Sequence, residues 1–454
     1  MRYDWCHLLF FVFFIVGCSK EVNVVLDDMA CELPEAVRQL PDTYLAPEDS
    51  LKKKAAMYLL EALPRQWHYD MSLYDSTGIQ KRVWDIDVID VDYLRENIEY
   101  AFKAWNLPWC RNLTFEEFCH WILPYKMADE EPVRWRRELW EEYSWIFDVY
   151  SAEDNAETIC RLINDSVNEW FTINWDNPYR LDVNYFKAKQ LGEGSCYEAS
   201  MMILYPLRAV GVPAVFDGVP RWVNRSGAHF WNAVYNNGSI CTFNGPDRNP
   251  GVHKVQFVGV GRMLFKMPKV WRRDYKEGRI DVTSEYIPVC DVRIDGISRK
   301  FKSVSLASFD NSNWRVVASV SVKCGRAIFK DMARDVVYLP VSEAIDGYSK
   351  VISYPILINE DGGFKSLKPD RIHAEHVRLT AKYPEDESNL IISGLKYELF
   401  YWDGRWKSLG RKVAQDDFIE YDKVPKNALL WLRNLDGGVQ ERIFVYQEDR
   451  QVWY

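Results

Sequence analysis

The spacing of apolar positions changes along the chain, and each change predicts a different kind of element. From Ser50 to about Tyr150 the spacing is helical, with Leu51, Ala55, Tyr58, Leu59 and Ala62 recurring at steps of three and four. Thr114-Phe115-Glu116-Glu117 reads as a capping box that opens a helix over Phe115–Leu123, which Pro124 ends or kinks. Pro132 suits a first helical turn. It precedes a helical run over Val133–Asp148, whose apolar stripe is Trp135, Leu139, Trp140 and Tyr143. Residues 186–300 mix one strong helix, Tyr197–Ala209, with short strands. Beyond residue 300 the period becomes two. Val304–Leu306, Val316–Val322, Val336–Tyr338 and Tyr397–Tyr401 read as strands, and Asp403-Gly404 marks a hairpin between Tyr397–Trp402 and Arg405–Leu409. The pattern predicts an α+β chain with a helical region at 46–185, a mixed core at 186–300 and β-rich, sandwich-like modules at 301–454.

The N-terminal stretch has a different character. Arg2 precedes the apolar run Leu8–Val16, too short to span a bilayer but suited to a signal-peptide core. Small residues before Cys18 resemble a bacterial lipobox, which makes residues 1–18 a lipoprotein signal and implies that Cys18 is lipidated and becomes the first residue after cleavage. Ser19-Lys20-Glu21 resembles the charged export tags of surface lipoproteins in Bacteroides-like bacteria. Residues 19–45, with Pro34 and Pro41, read as a tether. The expectation is an extracytoplasmic protein held at a bacterial membrane only by a lipid anchor.

Composition narrows the choices further. Lys and Arg total 57 against 66 Asp and Glu, so nothing in the charge invites nucleic acid. Aromatic residues are 15% of the chain, with 19 Trp; such rings usually fill cores, although some could line a site for sugars or peptides. After Cys6 and Cys18, eight cysteines remain. They show neither C-x-x-C nor zinc-finger spacing, so neither a structural metal nor a cofactor is expected. Gly259-Val260-Gly261 lacks the third glycine of a dinucleotide fingerprint, and Gly192–Ser195 lacks a phosphate-loop lysine. His68, His120, His253, His373 and His376 read as surface or satisfied histidines.

Candidate chemistry lies between Gly192 and Asp247. Cys196 stands at the start of a helix, where unpaired backbone N–H groups and the helix dipole favour thiolate, the form that attacks carbonyls. Gly194 would let a substrate backbone approach closely, and the N–H groups could hold an oxyanion. Alone, such a cysteine is more often a small buried hydrophobe. His229 opens a strand-like run, and Asn237-Gly238 predicts a two-residue hairpin in which 236 faces 239 and 231 faces 244. Alternation then puts His229, Trp231, Ala233 and Tyr235 on one face with Ile240, Thr242 and Asn244. Asn244 becomes a diagonal neighbour of His229, able to orient its ring. A three-residue loop would slip the register and leave Asp247 as the substitute. Cys241 falls on the other face with Val234. Trp231 could wall the site or fill the core, and Glu198 and Asp217 could border the cleft or be ordinary helix-face and loop carboxylates.

Gly194-Ser195-Cys196, the helix into Leu207–Ala214, and Ala228–Asn232 resemble the transglutaminase-like superfamily, and more narrowly the transglutaminase-domain lipoproteins of Bacteroides-type bacteria. Phe115–Tyr143, Tyr397–Gly410 and Leu429–Trp453 share that resemblance. It implies a papain-like fold, with Cys196 as nucleophile and His229 as base. Asn244 stands where the family usually has Asp, which puts either Asn244 or Asp247 in the orienting role, or else implies weak or absent activity. Gln190 matches a position that sometimes supplies an oxyanion donor. The resemblance implies cleavage of, or acyl transfer from, an amide or peptide bond in a protein or peptide substrate, with hydrolysis favoured over cross-linking. The alternative is a non-catalytic surface lipoprotein that binds a glycan or peptide.

Overall fold

The computed structural model describes residues 31–74, 80–150, 155–174, 182–224, 227–236, 238–251, 265–298, 300–310, 312–343, 349–383, 390–437 and 441–454. Cys18, the apolar run before it and the first part of the expected tether lie outside these residues. The fold is mixed α+β.

The helical region forms a layer around a large apolar core. Its main helices are α1 (Ser50–Ala62), α2 (Val91–Trp105), α3 (Phe115–Trp121), α4 (Arg136–Glu142) and α5 (Ala156–Asn168). The capping box at Thr114 and Glu117 forms as its sequence requires. Pro124 ends the helical stretch, and the orphan carbonyls of Ile122 and Pro124 are taken by the buried Arg136 guanidinium at 2.7 and 3.1 Å. The expected run over Val133–Asp148 is shorter and broken, with α4 followed by a turn and a second short helix at Ile146–Val149.

Two further expectations need correction. The tether does not extend to residue 45: Val37, Leu40 and Tyr44 are buried in the helical core, because apolar side chains spaced three and four apart on short helical turns find a face to cover. The helical region also contains an antiparallel hairpin, β1 (Trp67–Tyr74) with β2 (Gln80–Trp84). At its base, His68 Nδ1 lies 2.9 Å from Asp85 Oδ1. Tyr125 and Lys126 donate to Asp85 Oδ2 at 2.6 and 2.8 Å. All four residues are buried, so His68 is a satisfied core histidine.

The mixed core is built from α6 (Tyr185–Leu191), α7 (Cys196–Met202), α8 (Leu204–Ala209) and a five-stranded antiparallel sheet. The strands are β3 (Ala214–Val219), β4 (His229–Asn236), β5 (Ser239–Phe243), β6 (Trp271–Asp274) and β7 (Gly278–Asp281), in the order β5-β4-β3-β6-β7. The expected single helix after Cys196 is two, broken at Ile203. Pro206 has no N–H for the carbonyl of Met202, and a kink relieves that mismatch.

The β-rich part begins before residue 301: the strand Val289–Ile294 already pairs with Ala327–Ala333. Two larger antiparallel sheets follow. One has Val336–Glu343 at its centre, paired with Ser303–Asp310 and Ile356–Ile358, and the other has Lys396–Trp402 paired with Trp406–Val413 and Leu430–Asn434. They share a core in which Phe309 and Leu339 from the first meet Trp402, Trp431 and Ile443 from the second. Phe309, Trp314, Trp402, Trp406 and Trp431 pack edge to face or tilted at 5.0–5.7 Å. Much of the C-terminal aromatic content is therefore core.

Although burial works the other way, Lys126, His68 and Tyr125 hold the Asp85 carboxyl below the usual aspartate range. Asp85 thus adds stability that is fully present above the unfolded-state aspartate value and is lost as pH falls through the folded one. Asp85→Ala is expected to lower the unfolding free energy by about 3–5 kcal/mol at pH 7 in urea melts, because it strands a buried ammonium. The gap from wild type should shrink on acidification.

Candidate active site

Ser195, in extended conformation, caps α7. Its backbone N–H donates to Glu198 Oε2 at 2.8 Å, its hydroxyl bonds the same oxygen, and Tyr197 N–H donates to Ser195 Oγ at 3.2 Å. Ser195–Glu198 is thus a capping box, and the Ser-x-x-Glu spacing in the sequence signals it. Glu198 is buried and committed to the cap, so it does not border a cleft. Gly194 is needed for packing: a Cβ there would stand 2.7 Å from Glu198 Cβ and 3.1 Å from Phe171 Cζ. The space expected for a substrate backbone is occupied by these two side chains.

Cys196 is the first residue of α7 and is part-buried. The backbone N–H groups of Phe230, Cys196 and Tyr197 lie within hydrogen-bonding reach of its sulfur and favour thiolate. They do not win. Desolvation, with the Glu198 carboxylate adding to it, pushes the thiol up to about 11. A helix start alone implies the opposite direction, and burial of the thiol reverses it.

The hairpin register is the one that Asn237-Gly238 predicts. Asn236 pairs with Ser239, Tyr235 with Ile240, Ala233 with Thr242 and Asn232 with Phe243. Cys241 pairs with Val234 as expected. Asn244 follows the last ladder pair, in line with Trp231. It is buried, its backbone bonds Arg248 in both directions, and its side-chain Oδ1 has no hydrogen-bond partner among the described residues. Asp247 is exposed and its carboxylate lies 3.3 Å from Arg248 Nε. Gln190 is also exposed, on the last turn of α6, with Oε1 accepting from Lys187 Nζ at 3.1 Å.

His229 opens β4, is 5% exposed and lies opposite Val219. Its ring stacks on Trp222 at 6.1 Å and on Trp231 at 5.8 Å, with interplanar angles of 19° and 28°. Trp231 is fully buried, so it does not wall an open cleft. It packs in a small cluster with Val219, Trp222, Phe265 and Met267. Asp217 is a buried β3 residue held by Arg272 through two bonds of 2.9 and 2.8 Å. It is neither a loop carboxylate nor a cleft border.

Sequence reasoning missed three residues here. Asn232 Nδ2 donates to the Ser200 carbonyl at 2.8 Å and to the Val215 carbonyl at 3.2 Å, tying α7 to the sheet. Trp222 and Tyr286 were missed because nothing in their local pattern points to His229. Only a buried polar residue within an apolar strand hinted at Asn232. Among the described residues, no group of histidines, cysteines and carboxylates is arranged to hold a metal ion.

No protein-family model and no curated protein matches the sequence. Among solved structures, the chain is similar to a Cytophaga hutchinsonii protein proposed to be a cysteine protease. The identity is 11% and the TM-score 0.24, over 53% of this chain and 60% of that one. It is also similar to red sea bream transglutaminase, with 10% identity and a TM-score of 0.29 over 72% of this chain and 78% of that one. The match to the Cytophaga protein thus spans three fifths of that protein's length.

The state of the thiol is directly measurable. Iodoacetamide should alkylate Cys196 slowly at pH 7 and progressively faster toward about pH 11, as read by mass spectrometry of the Cys196 peptide. A rate that is already maximal below pH 8 would contradict this electrostatic picture.

Proposed function

We propose that this chain is a thiol-dependent enzyme that cleaves, or transfers an acyl group from, an amide or peptide bond. Residues 186–300 would serve as a papain-like, transglutaminase-like core in a lipid-anchored, extracytoplasmic protein. The observation that carries the reading is the packing of the Cys196 helix on the His229 strand, where the Tyr197 and Phe230 rings meet at 5.1 Å and Asn232 Nδ2 donates to the Ser200 carbonyl at 2.8 Å.

The raised thiol implies a neutral resting pair rather than a thiolate–imidazolium pair. In the proposed reaction the Cys196 sulfur attacks the carbonyl carbon while its proton passes to His229. The Cys196 backbone N–H at the start of α7 receives the developing oxyanion. Collapse expels the amine, which takes the proton back from His229, and water then hydrolyses the thioester. The orienting role is assigned to Asn244, which is buried just past the last ladder pair of the His229 hairpin, rather than to Asp247, which is exposed and paired with Arg248.

A second reading, a non-catalytic binding protein for a glycan or peptide, is favoured by the burial of Cys196, which pushes its thiol up and away from thiolate. p-Nitrophenyl acetate separates the two. The enzyme reading expects an acetyl adduct on Cys196 with turnover, absent in Cys196→Ser and slowed by about 10²–10⁴-fold in His229→Gln. Asn244→Ala should lower the rate, whereas Asp247→Ala should leave it within twofold. Acetylation that ignores His229→Gln, or that is no faster than that of free cysteine, would support the binding reading instead.

A further inference from the structure

Asn244 is neutral, so it can orient an imidazole but cannot balance an imidazolium. A buried carboxylate on the sheet face of His229 belongs to Asp217, paired with Trp231 on the neighbouring strand. Asp217 does not take the place of a family aspartate. Its Oδ1 accepts from Arg272 Nε, and its Oδ2 accepts from Arg272 Nη2 and from the Tyr286 hydroxyl. What it holds is Tyr286. The Tyr286 oxygen in turn accepts from Trp231 Nε1 at 3.2 Å, and the two rings meet edge to face at 5.3 Å and 85°. Trp231 stacks on His229. Arg272 closes the loop through Glu285, the residue before Tyr286, at 2.9 Å. Burial, reinforced by Asp217, keeps the Tyr286 phenol far above its ordinary value, so it remains a donor to Asp217 while accepting from Trp231.

We propose that Tyr286 is a positioning residue for His229, acting through Trp231, and that the Trp222–His229–Trp231 stack sets the plane of the imidazole. This rests on the enzyme reading above and extends it. A buried imidazole that must exchange a proton with a sulfur needs its ring plane fixed, because misplacement by about 1 Å costs about 10²-fold in rate. Two indoles pack against the ring at 6.1 and 5.8 Å with interplanar angles of 19° and 28°. One of them is prevented from rotating by its N–H bond to Tyr286, and Tyr286 is fixed by Asp217 and Arg272. The chain of contacts therefore runs from a buried ion pair to the proposed base without using position 244.

Tyr286→Phe keeps the edge-to-face ring contact and removes only the hydroxyl. In the full chain with p-nitrophenyl acetate, kcat should fall about 10- to 100-fold while KM stays within about twofold. In a Trp231→Phe background the same change should cause no further loss, because the acceptor then has no indole N–H to hold. Nitrogen-15 histidine spectra supply a readout independent of activity: His229 should show one ring environment in the wild type and an exchange-broadened or shifted one in Tyr286→Phe. A kcat unchanged within twofold, or an unchanged His229 signal in a folded variant, would overturn the proposal. If the wild type is not acylated at Cys196, the enzyme reading fails, and the His229 signal still decides the positioning role. If Tyr286→Phe does not fold, Trp222→Phe tests the stack from its other side by the same two measurements.

Discussion

The Asn232 side chain joins the two halves of the candidate site. Its amide nitrogen reaches the Ser200 carbonyl in the last turn of the Cys196 helix and the Val215 carbonyl on the next strand. Because it sits on the same strand as His229, these bonds set how closely the strand rides on the Cys196 helix. Tyr197, Phe216 and Phe230 then fill the space between helix and sheet with rings 5.1–5.5 Å apart. The sulfur is desolvated as a direct result. Strong packing and a readily ionised thiol are incompatible here, and packing wins.

That outcome shows where sequence is informative and where it stops. The Asn237-Gly238 hairpin was legible because a two-residue turn fixes register by itself, and every ladder pair from Asn232 to Phe243 follows from it. The Thr114 capping box and the period-two strands near Val304, Val316, Val336 and Tyr397 were legible for the same reason: each is a local rule over a few residues. The β1–β2 hairpin was not, because Trp67–Tyr74 follows immediately on a helical run and carries no turn signal at its start. The break at Ile203 needed the consequence of Pro206 to be carried one turn back. The direction of the Cys196 shift was legible in neither sense. It depends on Phe230 and the rings behind it, brought there by tertiary contact.

The candidate residues divide along the same line. Cys196 and His229 hold positions that local sequence can specify, one at a helix start and one at a strand start. Gln190 rests on chain position, which does not decide which way a side chain faces, and Asp247 rests on a slipped register that the hairpin does not adopt; both are exposed with a partner of their own. Trp222, Asp217, Arg272 and Tyr286 come from three separate stretches and converge only in the folded chain.

The asparagine at position 244 becomes coherent once the thiol is recognised as neutral. A carboxylate beside a buried imidazole is worth most when the resting state is an ion pair, because it then offsets a positive charge already present. With the thiol protonated there is no such charge at rest, and a buried carboxylate would bring its own desolvation cost with nothing to balance it. A neutral amide avoids that cost and can still accept one hydrogen bond. The imidazolium that forms during the proposed attack is transient. It packs against two indoles whose faces carry negative electrostatic potential, and in the proposed arrangement they set its ring plane. In such a site stacking takes over orientation from charge, which places the strictest demand on the aromatic neighbours of His229.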